Sequence, residues 1–79
     1  MMKKIKLIWD FRGSDSKTTA EHHEIHLKEY ISNQNLSLNI TGVESFSDLY
    51  SIAYLVVNED EMIAVRDTLR PHRGEWYEN

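Results

Sequence analysis

The chain has 79 residues, no cysteine, and nine basic against thirteen acidic residues, for a formal charge of −4. That length allows one domain, 1–79, and the missing thiols exclude both a disulfide framework and a thiolate metal site. The acidic balance argues against a nucleic-acid partner, which calls for a basic face, and no apolar run approaches the length of a membrane span. A chain this short buries only about 60% of its unfolded surface. Pairing with itself as a homodimer is therefore the expected route to further burial. The start is positive (Lys3, Lys4, Lys6), but it lacks the long apolar segment and small-residue cleavage site of a secretory leader. A soluble, cytoplasmic protein is expected.

Residues 4–11 alternate, with Ile5, Leu7, Trp9 and Phe11 on one side and Lys4, Lys6, Ile8 and Asp10 on the other. This is the period of a strand with one well-buried face. Arg12-Gly13-Ser14-Asp15-Ser16 carries turn and helix-cap chemistry. The helix that follows starts either at Asp15 or Ser16, or later through a Thr18–Glu21 capping box. On a wheel of about 100° per residue, Ala20, His23, Leu27, Tyr30 and Ile31 share a face. His26 stands at its edge, His22 further round, and Ile25 almost opposite. The helix fades over Ser32-Asn33-Gln34-Asn35.

A second alternation sets Leu36, Leu38 and Ile40 against Ser37, Asn39 and Thr41, which predicts a strand, and 42–48 reads as a connecting loop. Residues 49–57 are apolar on both faces, as in a central strand. Asn58-Glu59-Asp60-Glu61 opens a second helix with an Asn cap and acids at the positive end of its dipole. Met62, Val65 and Leu69 carry its apolar spacing, and Pro71 stops it. Arg73–Tyr77 can form a short last strand, the alternative being that Trp76 packs as an irregular tail.

The order is β-α-β-β-α-β, the ferredoxin-like α+β plan: a four-stranded antiparallel sheet with two helices on one face. Tracing that path brings Asp10, Arg12, Arg70, His72 and Arg73 to one end of the molecule, far apart in sequence but close in space. His22 and His23 lie about 10 Å along the first helix from that end. The opposite sheet face mixes polar and apolar residues, which suits a dimer seam or the wall of a small cavity.

The strand order, a first helix carrying His26, Leu27 and Tyr30 as His-Leu-x-x-Tyr, and a second helix running into a short final strand together resemble the dimeric α/β-barrel superfamily. Within it the layout is most similar to the YCII-related branch. The resemblance implies two protomers joined through their sheets around a small-molecule pocket, and a working His and Asp. His26 is the match for that histidine, and the Asp has no clear counterpart.

Two imidazoles of His22, His23 and His26 can share a helix face and grip zinc, copper or nickel. The metalloprotease spacing is absent, because Glu24 stands third in His22-His23-Glu24-Ile25-His26. The plainer reading makes His23 a boundary residue, packs His26 beside Tyr30 and leaves His22 in water. Arg70, His72 and Arg73 can hold a carboxylate or phosphate, or serve only as cations at a helix C-terminus. Trp9, Tyr54 and Trp76 read as core or seam aromatics. The leading expectation is a homodimer binding a small anionic molecule through Arg12, Arg70, His72 and Arg73. No cofactor is expected; His23 or His26, with Asp10, would supply any acid/base chemistry. The alternatives are an interaction module whose exposed Ile25 meets a protein partner, and a metal held by His22 and His26.

Overall fold

The computed structural model describes residues 3–78; Met1, Met2 and Asn79 lie outside them. β1 (Lys4–Arg12), α1 (Ser16–Gln34), β2 (Ile40–Ser47), β3 (Tyr50–Asn58), α2 (Met62–Leu69) and β4 (Arg73–Tyr77) follow in the ferredoxin-like order. The sheet runs β2-β3-β1-β4, and every pairing is antiparallel. Leu7 and Trp9 of β1, Ala53, Leu55 and Val57 of β3, Ala20, Leu27 and Ile31 of α1, and Val65 of α2 form one buried cluster. Both helices therefore cover the same face. No helix among the described residues is long and apolar enough to cross a membrane.

The period-2 reading of β1 holds. Its odd residues meet the helices, and its even residues lie on the open face with Tyr50, Ile52, Tyr54 and Val56 of β3. The first helix takes the earlier of its two possible starts. Gly13 turns the chain at φ 115°, where an L side chain is strained, and Ser16 N–H donates to the Gly13 carbonyl at 3.1 Å. Asp15 stands at the cap position without a side-chain bond. Buried Ser16 reaches Ser51 at 3.4 Å, and Ser51 reaches Ser45 at 2.8 Å. Left-handed Asn35 ends α1, and Leu36 N–H donates back to the Ile31 carbonyl at 3.2 Å.

The second strand corrects the sequence reading. It was expected over 36–41 with 42–48 as loop, whereas β2 occupies Ile40–Ser47. Leu36 packs on the core from the connection instead, and Ser37 N–H and Oγ both reach Glu61 at 3.2 Å. The shift also reverses Thr41, which turns toward the helices and donates to Glu24 at 2.9 Å. Its neighbours Ile40 and Gly42 pair with Val56 and Tyr54 on the open face. A one-residue change of register exchanges the faces of a whole strand. β2 escaped notice because an edge strand tolerates polar residues and glycine. At Gly42 the Tyr54 ring lies over the backbone, where an added Cβ would collide unless the ring moved aside.

The second helix also begins differently. Glu59–Glu61 form a 3-10 turn before α2, and Asn58 makes no side-chain cap bond. Glu59 N–H donates to the Lys3 carbonyl at 2.9 Å instead. The stop at Pro71 and the final strand Arg73–Tyr77 stand as read.

On the open face, Ile8, Ile52 and Val56 are only 1%, 2% and 0% exposed. Long side chains roof them. Lys6 lies 4.3 Å from the Tyr54 ring centre and 3.7 Å from Glu44.

Candidate functional site

Four segments meet where β1 leaves the sheet. Asp10 is an even residue of β1, so its carboxylate lies on the open face, two residues along from Ile8, which is opposite Arg73. Tyr50, the first residue of β3, has the same parity and donates its hydroxyl to Asp10 Oδ1 at 2.5 Å. Arg73 donates through Nε to Oδ2 and through Nη2 to Oδ1, both at 3.2 Å. This is the two-pronged geometry that guanidinium and carboxylate favour. The Nη2 group also lies 3.3 Å from the Tyr50 hydroxyl. These bonds hold the Asp10 carboxyl below its usual range, the Arg73 bond contributing most and the Tyr50 bond next. The same contacts push the Arg73 guanidinium further up.

His72 sits at the seam of the two sheet faces. Its backbone N–H donates to the Ile8 carbonyl at 2.9 Å, and its Nδ1 accepts from the Asp10 backbone N–H at 2.8 Å. The imidazole thus continues the β1–β4 ladder one step beyond the last strand pair. An accepting Nδ1 assigns the ring proton to Nε2. The His72 side chain is about half exposed, which leaves that proton within reach of a bound molecule.

Arg12 completes the group from the end of β1. Its guanidinium lies 4.2 Å from the Tyr50 ring centre, and the other neighbour of that ring is Phe46 at 5.2 Å. Arg12 has no acidic partner among the described residues. Arg73, by contrast, is matched by Asp10 and lies 3.6 Å from Glu75. A stacked guanidinium keeps its in-plane donors available.

The remaining sequence candidates are placed elsewhere. His23 lies on the helix side of the sheet, its ring 4.9 Å from Trp9 and 5.5 Å from Phe11. Its Nε2 is buried without a hydrogen-bond partner. Burial, then the charges of His26 and His72, push its pKa down. β1 therefore separates His23 from Asp10. His26 is exposed, with Nδ1 3.2 Å from Glu29, and does not approach Asp10. Arg70 caps α2 in the left-handed conformation, and its side chain is exposed and unpaired among the described residues. The structure thus joins Asp10, Arg12, His72 and Arg73 and leaves His23, His26 and Arg70 apart.

Tyr50 is the member that sequence reasoning missed. It opens a strand that is apolar on both faces, and only the pairing register puts it beside Asp10. Compared with models of known families, with curated proteins and with solved structures, the chain matches none. The fold and this cluster define it as a ferredoxin-like α+β protein with a polar site at the end of β1.

Proposed function

We propose that the protein binds a small anionic molecule, a carboxylate or a phosphate, at the Arg12–Tyr50–Arg73–His72 end of the sheet. The observation that carries this reading is Arg12. It is held against Tyr50, lacks an acid partner among the described residues, and adjoins a rigid Asp10–Tyr50–Arg73 network. Asp10 fixes Tyr50 and Arg73 in place, Arg12 supplies the unmatched charge, and the His72 Nε2–H adds a donor. Proton transfer by His23 or His26 does not enter the proposal, since neither hydrogen-bonds to a member of this cluster.

Nuclear magnetic resonance titration with inorganic phosphate and with succinate tests the reading. Either anion should shift the amide signals of Arg12, Tyr50 and Arg73. Arg12→Ala should weaken binding at least tenfold, and Arg12→Lys should recover it only in part, because an ammonium cannot offer a planar fork. If neither anion binds, or if Arg12→Ala binds equally well, the proposal fails.

Pairing of two copies through the open sheet face is a separate part of the proposal. Its support is the mixed surface of Lys6, Tyr54, Glu44 and Arg73 over an apolar floor. All the side chains of the anion site come from one chain, so binding and pairing are tested independently.

A further inference from the structure

A second constellation lies on the outer surface of α1, away from the anion site. His22 and His26 stand one turn apart, with ring centres 4.8 Å apart and planes at 64°. Residues four apart on a helix project to the same side. The next residue on that side, Glu29, accepts from His26 at Nδ1 across 3.2 Å. A carboxylate on Nδ1 fixes the tautomer and leaves the Nε2 lone pair for a metal. The side chains of His26 and Glu29 are 60% and 63% exposed, so an ion can enter from solvent without moving the fold. α1 is helical without a break from Ser16 to Gln34, so the two side chains leave the backbone one turn apart before any ion arrives.

We infer that His22 and His26 form an open, exchangeable site for a borderline divalent cation of the copper, nickel and zinc class, with Glu29 positioning His26. Two imidazole nitrogens suit these ions, whereas calcium and magnesium prefer oxygen ligands. No group of three His, Cys, Asp or Glu side chains among the described residues could hold a metal. The protein thus supplies two ligands, and water or an incoming molecule fills the rest. Closed sets of four protein ligands mark structural zinc, and open positions mark sites where the metal exchanges or meets another ligand. Copper should bind tightest, with nickel and zinc weaker.

The test is calorimetric titration of the full metal-stripped chain with Zn²⁺, Ni²⁺ and Cu²⁺ chlorides, followed by thermal melts. One equivalent of ion should bind, copper tightest. Zinc and nickel should each raise the melting temperature, because only the folded helix presents the pair. His22→Ala and His26→Ala should each cut affinity at least tenfold. Glu29→Gln should weaken binding about tenfold, as loss of an outer-shell partner does. Absence of binding in the wild type, or equal binding in His22→Ala, would overturn the site. Equal binding in Glu29→Gln would overturn the role given to Glu29.

Discussion

At the level of single residues, two titratable groups are held away from their ordinary behaviour for opposite reasons. Asp10 is kept ionised by Arg73 and Tyr50. Its native pKa lies below the ordinary 3.8, so its contribution to stability is complete above that value. The contribution is lost as pH falls through the lower native pKa. Asp10→Asn should therefore lose stability at pH 7 and show a smaller further loss on acidification. Denaturant unfolding at pH 7 and pH 3 measures both, and an unchanged acid dependence would contradict the assignment.

His23 is kept neutral by burial between Trp9 and Phe11. Its native pKa lies below the ordinary 6.5. Below that value the unfolded chain takes up a proton that the folded chain resists, so stability falls with pH through the native pKa. Unfolding free energies at pH 7.5 and pH 5.5, in chelator-treated buffer, should drop in the wild type. In His23→Phe the drop should be smaller. A phenyl ring fills the same slot and leaves no unpartnered nitrogen behind.

At the level of elements, the two ends of the helical layer use the same backbone region with different residues. Gly13 turns β1 into α1 at φ 115°, while Arg70 closes α2 at φ 50° with a bulky side chain where glycine is the usual choice. Opposite effects follow. Gly13→Ala should cost about 1–2 kcal/mol, and Arg70→Gly should stabilise by up to about 1 kcal/mol. Thermal and denaturant unfolding of the two variants measures both signs. Arg70→Gly has a further use: phosphate binding that survives it would confine Arg70 to its place at the end of α2. The short α2 contributes one buried residue, Val65, and is pinned at its far end by the Trp9 indole N–H on the Leu69 carbonyl at 3.1 Å.

At the level of the whole molecule, the proposed pairing of two copies rests on the open sheet face. Its apolar floor of Ile8, Ile52 and Val56 is already closed off by Lys6, Tyr54 and their neighbours. A second copy would therefore meet aromatic and charged side chains, not bare aliphatic surface. Seams of that kind depend on salt, because exposed charge pairs are screened. Light scattering at micromolar concentration should return a dimer in low salt that weakens at 0.5 M sodium chloride. A monomer in both conditions would remove the pairing proposal and leave the anion site untouched.

The sequence by itself determined the element order, the inward face of β1, the buried stripe of α1 and the stop at Pro71. Each follows from local periodicity or backbone chemistry within a few residues. It also brought Asp10, Arg12, His72 and Arg73 to one end, because chain direction alone places the termini of elements. Only the tertiary structure decided the position of β2, where the Tyr54 ring occupies the space a Cβ at position 42 would take and Leu36 and Ser37 find partners outside the strand. Tertiary structure also joined Tyr50 to Asp10 and set β1 between Asp10 and His23. Those relations depend on cross-strand register, and register is fixed by contacts between residues distant in the chain, not by the pattern of any one segment.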